Sequence, residues 1–211
     1  MLKKHSILIG IVISLVLLYL ATQHYPGGSQ ADKNSVGYSW LNNYLSNLFS
    51  PKAVNGAENT ARIWADFGML FFCGSILIFF IDFSTKIPDK NAQKIIKYCG
   101  IGSMAFAFLA VTPLHDLMVR LSCTLSMLTI FYVTVFVLKS RLVGFKILSL
   151  LVLVFLYGGA YVYFSGNGLQ ILPVLQKATF GISIIWVLGL YYFTREEDFR
   201  VKEKILVERI N

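Results

Sequence analysis

The stretch IWADFGMLFFCGSILIFFIDF, residues 63–83, decides the fold class of this chain. It is long enough to cross a bilayer as a helix, since a span needs roughly 17–25 mostly apolar residues. Its apolar residues are continuous rather than alternating, which argues against a strand of a membrane β-barrel. Backbone groups in lipid must bond within their own segment, so the stretch predicts a transmembrane α-helix.

Five further apolar stretches of similar length lie along the chain. Apolar residues make up 56% of the sequence and charged residues only 14%, against roughly 25% charged residues in soluble domains. We therefore predict an all-α, polytopic membrane protein with a bundle of six transmembrane helices. The six stretches are Ser6–Thr22, Ile63–Phe83, Ile95–Val111, Leu117–Leu138, Leu142–Phe164 and Leu169–Phe193.

Basic residues are concentrated on one side of the predicted membrane. If the N-terminus lies in the cytoplasm, all but five of the 19 basic residues fall in cytoplasmic segments. This bias follows the positive-inside rule, and an odd number of crossings would destroy it. We therefore predict that both termini are cytoplasmic. The five exceptions are Lys33, Lys52, Arg62, Arg120 and Lys177.

The first apolar stretch permits a second interpretation. Lys3 and Lys4 precede a short apolar run, as they would in a cleaved signal peptide. The residues Ala21-Thr22-Gln23, which follow the run, lack the small-x-small pattern of a cleavage site. The sequence therefore favours an uncleaved membrane anchor.

The longest predicted connection is the outer loop of residues 23–62. It begins with turn-forming residues, PGGS at 26–29, and it then becomes periodic. We predict an amphipathic helix over 38–50, stopped by Pro51, that lies on the outer membrane surface or caps the bundle. The absence of Lys and Arg from this helix favours the cap. Its apolar face would hold Tyr38, Leu41, Tyr44, Leu45, Leu48 and Phe49, and its polar face Asn42, Asn43, Ser46, Asn47 and Ser50.

The chain divides into a transmembrane domain, residues 1–193, and a cytoplasmic C-terminal tail, residues 194–211. The tail mixes acidic and basic residues, which is typical of a solvated extension of the last helix. Its weak apolar face leaves open the docking of a protein partner. Cys73, Cys99 and Cys123 lie in apolar runs, with neither disulfide nor metal-ligand spacing.

Three short motifs together resemble a known family. They resemble the domain of unknown function 998 family of prokaryotic integral membrane proteins, which is distantly similar to DRAM-like six-helix membrane proteins. The resemblance implies a multi-pass protein of the bacterial cytoplasmic (inner) membrane, and it implies no reaction. The motifs are GYS at 37–39 with NYLSNL at 43–48, TPLHD at 112–116, and Gln176-Lys177 ten residues before Trp186.

Charged residues near the starts of three predicted helices mark a candidate site. The second, fourth and sixth helices begin at the outer face, where helix N-termini present free N–H groups and positive dipole ends. Charges inside a membrane are costly and therefore indicate function. Lys177 is the sharpest case, because no acid lies within four residues of it. The predicted ligand-binding residues are Asn43, Ser46, Asn47, Arg62, Asp66, His115, Asp116, Arg120, Gln176 and Lys177.

Three functions stay open at this point. The cations would bind an anionic lipid or small molecule, with membrane lipids as partners. Alternatively, Arg62 with Asp66 and Asp116 with Arg120 form an interfacial belt, and the protein is a structural or interaction subunit. The third is an intramembrane lipid hydrolase or transferase built on His115, Asp116 and Asp66, although catalytic motifs are absent and zinc ligands too few. We expect no metal, no cofactor and no nucleic-acid partner.

Overall fold

The computed structural model describes residues 2–200, with side chains from His5 onward. This part of the chain contains long α-helices and two short 3-10 turns, Leu45–Phe49 and Glu196–Phe199, and it contains no strand beyond two isolated bridges. The long helices are α1 Leu2–His24, α2 Arg62–Thr85, α3 Lys90–Leu109, α4 His115–Lys139, α5 Val143–Ser165 and α6 Leu172–Phe193.

All six predicted stretches are helices, but they are not equally apolar. Five of the described helices, namely α1, α2, α4, α5 and α6, are long and apolar enough to cross a membrane. Helix α3 differs because its first turns carry Lys90, Lys94 and Lys97. The structure is thus an all-helical bundle whose five apolar helices fit a multi-pass membrane protein.

The helices run alternately in opposite directions, so the bundle has two distinct ends. At one end His5 Nδ1 lies 2.9 Å from the hydroxyl of Tyr192, and Lys86 Nζ donates to the carbonyl of Tyr191 over 3.4 Å. We call this the terminal end. At the other end Thr60 donates to the carbonyl of His24 over 2.8 Å, and the long loop of residues 25–61 covers the bundle. We call this the loop end.

The core lies between α2, α4 and α6, where large side chains are excluded from the surface. Phe79 and Trp186 are fully buried edge to face, and the Trp186 indole donates to Ser149 of α5 over 2.7 Å. Helix α3 approaches α2 closely at Gly100, where a Cβ would lie 2.6 Å from a ring carbon of Phe80. This close approach makes α3 an integral part of the bundle.

The predicted amphipathic helix over 38–50 is wrong. Only Leu45–Phe49 is helical, as a 3-10 turn. The physical reason is that asparagine side chains take over the backbone bonds a helix would need. Asn43 Oδ1 accepts from the backbone N–H of Ser39 over 2.8 Å, and Asn47 Oδ1 accepts from that of Tyr44 over 2.8 Å.

The assignment of faces in that segment also changes. Asn43, which the periodicity places on the polar face, is fully buried, whereas Leu41 of the apolar face is 67% exposed. Leu48 and Phe49 do pack into a small core at the loop end, together with Tyr25 and Ala65. The segment therefore caps the bundle without forming an α-helix.

The first part of the C-terminal tail is not a solvated extension of α6. The helix ends at Phe193, and Thr194 has an extended backbone. The chain then turns back, so that the buried ring of Phe199 meets Phe83 of α2 edge to face at 5.4 Å. Burial of this apolar side chain, six residues beyond the helix, thus holds the start of the tail against the bundle. The tail predicted to dock a partner, residues 194–211, lies outside the described residues from position 201 onward.

Candidate ligand-binding site at the loop end

Lys177 is positioned near the start of α6, one turn after Pro173. Pro173 occupies the first turn of the helix, where its missing N–H costs nothing. The Lys177 ammonium donates to the carbonyl of Asn43 over 2.5 Å and to that of Pro173 over 2.9 Å. It also lies 5.6 Å from the centre of the Tyr38 ring. No described carboxylate pairs with it, so its positive charge is met only by dipoles and a ring.

The backbone carbonyl of Asn43, which accepts from Lys177, is held in place by the buried side chain of the same residue. Besides accepting from Ser39, this amide donates to the carbonyl of Gly28 over 2.8 Å and to Asn47 Oδ1 over 3.3 Å. Asn43 thus ties the beginning of the loop to its middle. A buried amide that meets several backbone groups at once holds them in one geometry.

A second polar contact fastens the loop to α6. Gln176 Oε1 accepts from the backbone N–H of Leu45 over 2.9 Å. The hydroxyl of Tyr44 donates to the carbonyl of Leu169, just before α6, over 3.4 Å. Gln176 and Lys177 therefore form a clamp that holds the loop over the start of α6.

Two tyrosines complete the site, and sequence reasoning missed their polar roles. The Tyr38 hydroxyl donates to the carbonyl of Asn43 over 3.3 Å, and the Tyr25 hydroxyl accepts from the N–H of Val54 over 3.0 Å. The two rings meet edge to face at 5.8 Å. Burial raises the pKa of Tyr25, and burial followed by the nearness of Tyr25 raises the pKa of Tyr38. The periodic pattern assigns Tyr38 only to an apolar face, and it therefore gives no signal for the hydroxyl.

Below the clamp, a groove runs between α1 and α6. Its cavity measures about 330 Å³, and its wall is almost entirely apolar. Lys177 is the only charged residue among those that line it in the described part of the chain, and it lies at the end nearest the loop, which contributes Trp40 to the lining. The groove continues along α6 to Ile184, about 10 Å further at 1.5 Å per residue. The other lining residues are Leu15, Leu18, Tyr19, Thr22, Leu45, Phe180 and Gly181.

The remaining predicted site residues form two separate groups. In α2, Arg62 Nε lies 3.5 Å from Asp66 Oδ2, while the other, buried oxygen of Asp66 has no hydrogen-bond partner among the described residues. In α4, His115 Nδ1 lies 3.0 Å from Asp116 Oδ1, and Arg120 donates to the carbonyl of Asp116 over 3.1 Å.

The structure therefore divides the predicted site into three groups. Asn43, Asn47 and Lys177 share one hydrogen-bonded network, and Gln176 binds the same loop segment through the N–H of Leu45, whereas the α2 and α4 groups bond within their own helices. The Ser46 side chain has no bond to any of them among the described residues. His115 and Asp66 are likewise not joined by a hydrogen bond in the described range, so the geometry does not assemble the predicted catalytic trio. Their roles stay predictions.

Comparisons of the chain with protein families, curated proteins and solved structures found no match. No function is therefore transferred from a relative. The resemblance to the domain of unknown function 998 family stays a prediction, and the functional argument depends on the geometry of the groove and of Lys177.

Proposed function

We propose that this chain is an integral membrane protein that binds an anionic amphiphile in the groove between α1 and α6. The anionic group would meet Lys177, and the chain of the amphiphile would lie along the apolar wall. The observation that carries the proposal is a lysine that lines an apolar cavity without a described carboxylate partner.

The chemistry of the ammonium supports this assignment. A lysine has three N–H donors, and the two carbonyls of Asn43 and Pro173 engage two of them. A phosphate or carboxylate oxygen at the third would gain a charge-assisted hydrogen bond, about twice as strong as a neutral one. In low dielectric the attraction between opposite charges is also larger than in water. An anion thus gains more from this site than a neutral headgroup does.

The apolar wall has a different role. Hydrocarbon that moves from bilayer to groove gains little free energy, because lipid tails are as apolar as the leucines that line the groove. The wall therefore orients the amphiphile, while Lys177 discriminates between headgroups. We infer selectivity for headgroup charge and tolerance of chain length.

We also propose six crossings, with the loop end outside the cytoplasm of a bacterial inner membrane. Helix α3 has 20 residues and is about 30 Å long, so it crosses the hydrocarbon core when the long side chains of its lysines extend their ammonium groups back to the headgroup layer. It packs against α2 along the bundle. Basic residues crowd the terminal end, as cytoplasmic ends do. A cysteine in place of Lys90 or Gly56, as the single cysteine of a chain in which Cys73, Cys99 and Cys123 are replaced, tests this topology when whole cells are labelled with an impermeant maleimide. Labelling at position 90 would contradict it.

The binding test uses native mass spectrometry of the full chain in detergent with phosphatidylglycerol, palmitate or phosphatidylcholine. We expect Lys177→Met to weaken phosphatidylglycerol binding about tenfold, which corresponds to about 1.4 kcal/mol. Lys177→Arg should retain it. The matched control is Arg120→Met, which removes a cation from the same end of the bundle. Phosphatidylcholine binding should not change in any variant, and palmitate shows whether a free carboxylate suffices.

A second variant tests the role of the cavity independently of the charge of Lys177. A side chain at Gly181 would meet open space, since no atom lies within 4 Å of the point that its Cβ would occupy. Gly181→Leu would fill the groove and leave Lys177 in place, and we expect it to abolish binding in the groove while the helix forms normally. Equal phosphatidylglycerol binding by the wild type, Lys177→Met and Gly181→Leu would overturn the proposal.

The other interpretations gain no support from the described residues. The enzyme interpretation needs Asp66 to join His115 and Asp116, and no hydrogen bond among the described residues joins it to them. The interaction-subunit interpretation needs a docking surface with a defined partner; the described start of the tail packs Phe199 onto its own bundle, and the rest of the tail lies outside the described residues.

A further inference from the structure

Helix α3 begins at the terminal end with an exposed cationic stripe. Lys90 and Lys94 are exposed and Lys97 is half-buried, with its ammonium 5.6 Å from the centre of the Tyr98 ring. At 3.6 residues per turn these four residues lie within roughly 100° of the helix circumference. None of the three lysines forms an ion pair with a described carboxylate.

The neighbouring acids are already committed to other partners. Asp89 is the N-cap of α3, and its carboxylate accepts from the N–H of Ala92 over 2.7 Å. Asp82, at the end of α2, pairs with Lys86 at 3.3 Å. The first turn of α3 contains no acidic residue. Lys90 thus lies in the first turn of α3, at the positive end of its dipole, and Lys94 and Lys97 follow on the same face without an acid beside them, an arrangement that an external anion would relieve.

The same face of α3 changes character along its length. Beyond the lysines it presents Tyr98, which is 63% exposed, then Ile101, Ala105 and the exposed Leu109. The order of cation, aromatic ring and aliphatic side chain is the order of headgroup, interface and hydrocarbon in one leaflet. A soluble anionic partner would not require the apolar continuation, whereas a lipid would.

We propose that this face of α3 is a binding surface for anionic phospholipid in the leaflet at the terminal end. The phosphate lies against Lys90, Lys94 and Lys97, the glycerol region against Tyr98, and the acyl chain along Ala105 and Leu109. The surface is independent of the groove below the loop, since the two lie at opposite ends of the bundle. Anionic lipid at this surface supplies the negative charge that the first turn of α3 lacks.

The experiment measures retained lipid in the Gly181→Leu background, in which the groove is filled and does not contribute. The test variant is Lys90→Gln with Lys94→Gln and Lys97→Gln. The matched control is Lys139→Gln with Arg141→Gln and Lys146→Gln, at the same end of the bundle. Both remove three cations, and Lys139 also lies over a ring, Phe136, at 5.4 Å. Full-length protein is titrated with phosphatidylglycerol or phosphatidylcholine and analysed by native mass spectrometry.

We expect the α3 variant to bind phosphatidylglycerol at least fivefold more weakly than its background, and the control less than twofold more weakly. Phosphatidylcholine should bind equally to all three. Equal losses in the two triple variants would overturn the proposal, since charge alone would then explain the binding, and so would no loss in the α3 variant. Displacement of the lipid by an equal concentration of inorganic phosphate would also overturn it, because a free anion would suffice.

Discussion

Lys177 and Arg120 occupy comparable positions, but their surroundings differ. Each is a cation near the N-terminus of a helix that begins at the loop end. In α4 the first turn holds Asp116, and Arg120 donates to the backbone carbonyl of Asp116 over 3.1 Å. The side chain of Arg120 is more exposed than that of Lys177. In α6 the first turn holds no acid, and Lys177 is half-buried beneath the loop.

The difference shows what an isolated charge requires at a helix start. A cation that has an acid four residues away on its own helix has an opposite charge nearby and needs no tertiary partner. A cation without one must obtain oxygen atoms from other groups, and Lys177 obtains them from the backbone carbonyls of Asn43 in the loop and Pro173 in its own helix. Backbone carbonyls solvate the ammonium but do not cancel its charge, which leaves the position attractive to an anion.

The strongest way to break this comparison is to remove the amide that fixes the loop. Asn43→Ala would leave the N–H of Ser39 and the carbonyl of Gly28 unpaired in a buried site. We expect the free energy of loop opening to fall by about 2–4 kcal/mol, since each unsatisfied buried group costs about 1–3 kcal/mol. Native-state proteolysis of the loop in detergent measures it.

Ser46→Ala is the matched control for that measurement. Ser46 is three residues away in the same segment, and its side chain forms no hydrogen bond to a described residue, so the change should stay within about 0.5 kcal/mol. If both variants were cleaved at the same rate, the Asn43 network would have no special role in holding the loop.

Much of the fold could be predicted from the sequence because long apolar runs have few alternatives in lipid. Residues 63–83 and their five counterparts are helices with ends that differ by a few residues. The segment 38–50 could not be predicted in the same way. Its apolar periodicity suggests a helix. The side chains of Asn43 and Asn47, however, form local hydrogen bonds with the backbone that compete with helical ones, and the spacing of apolar residues contains no information about such bonds.

The candidate site was predictable in part, for a related reason. Lys177 stands out in the sequence because its own helix supplies no acid. Its actual partner, the carbonyl of Asn43, lies 134 residues away along the chain and is a backbone group, so no residue pattern indicates it. The expected gathering of Arg62 and Arg120 around Lys177 stays a prediction, since among the described residues Arg62 pairs with Asp66 and Arg120 donates to the carbonyl of Asp116, each on its own helix.

A direct substitution sharpens the comparison between the two cations. Lys177→Met removes the hydrogen bond from the charged ammonium to the loop carbonyl of Asn43 and should lower the free energy of loop opening by about 1–2 kcal/mol. Arg120→Met should change it by less than about 0.5 kcal/mol, as is usual for a surface position. The same proteolysis assay compares them without added lipid. Equal effects would mean that the loop does not depend on Lys177.

The smallest expected effect concerns Tyr38, which lies over the Lys177 ammonium. Burial raises the pKa of this phenol in the folded protein, whereas in the opened loop it titrates near its ordinary value of about 10. The folded state therefore favours the neutral form. The contribution of Tyr38 to loop stability is fully present below about pH 10, and it is lost as the pH rises through the opened-state pKa towards the folded-state pKa.

Proteolysis of the loop by an alkali-tolerant protease, followed from pH 8 to pH 11, tests this expectation. The wild type should lose about 1 kcal/mol more than Tyr38→Phe by pH 11, because one pH unit beyond the opened-state pKa corresponds to about 1.4 kcal/mol. Tyr44 is present in both proteins, so its own ionisation cancels in the difference, whereas the nearness of Tyr25 is one of the causes that raise the pKa of Tyr38 and is part of the effect measured. If loop stability fell in parallel with pH in the wild type and in Tyr38→Phe, Tyr38 would ionise equally easily in the closed and the open loop. Its ring would then not share the enclosed environment of Lys177.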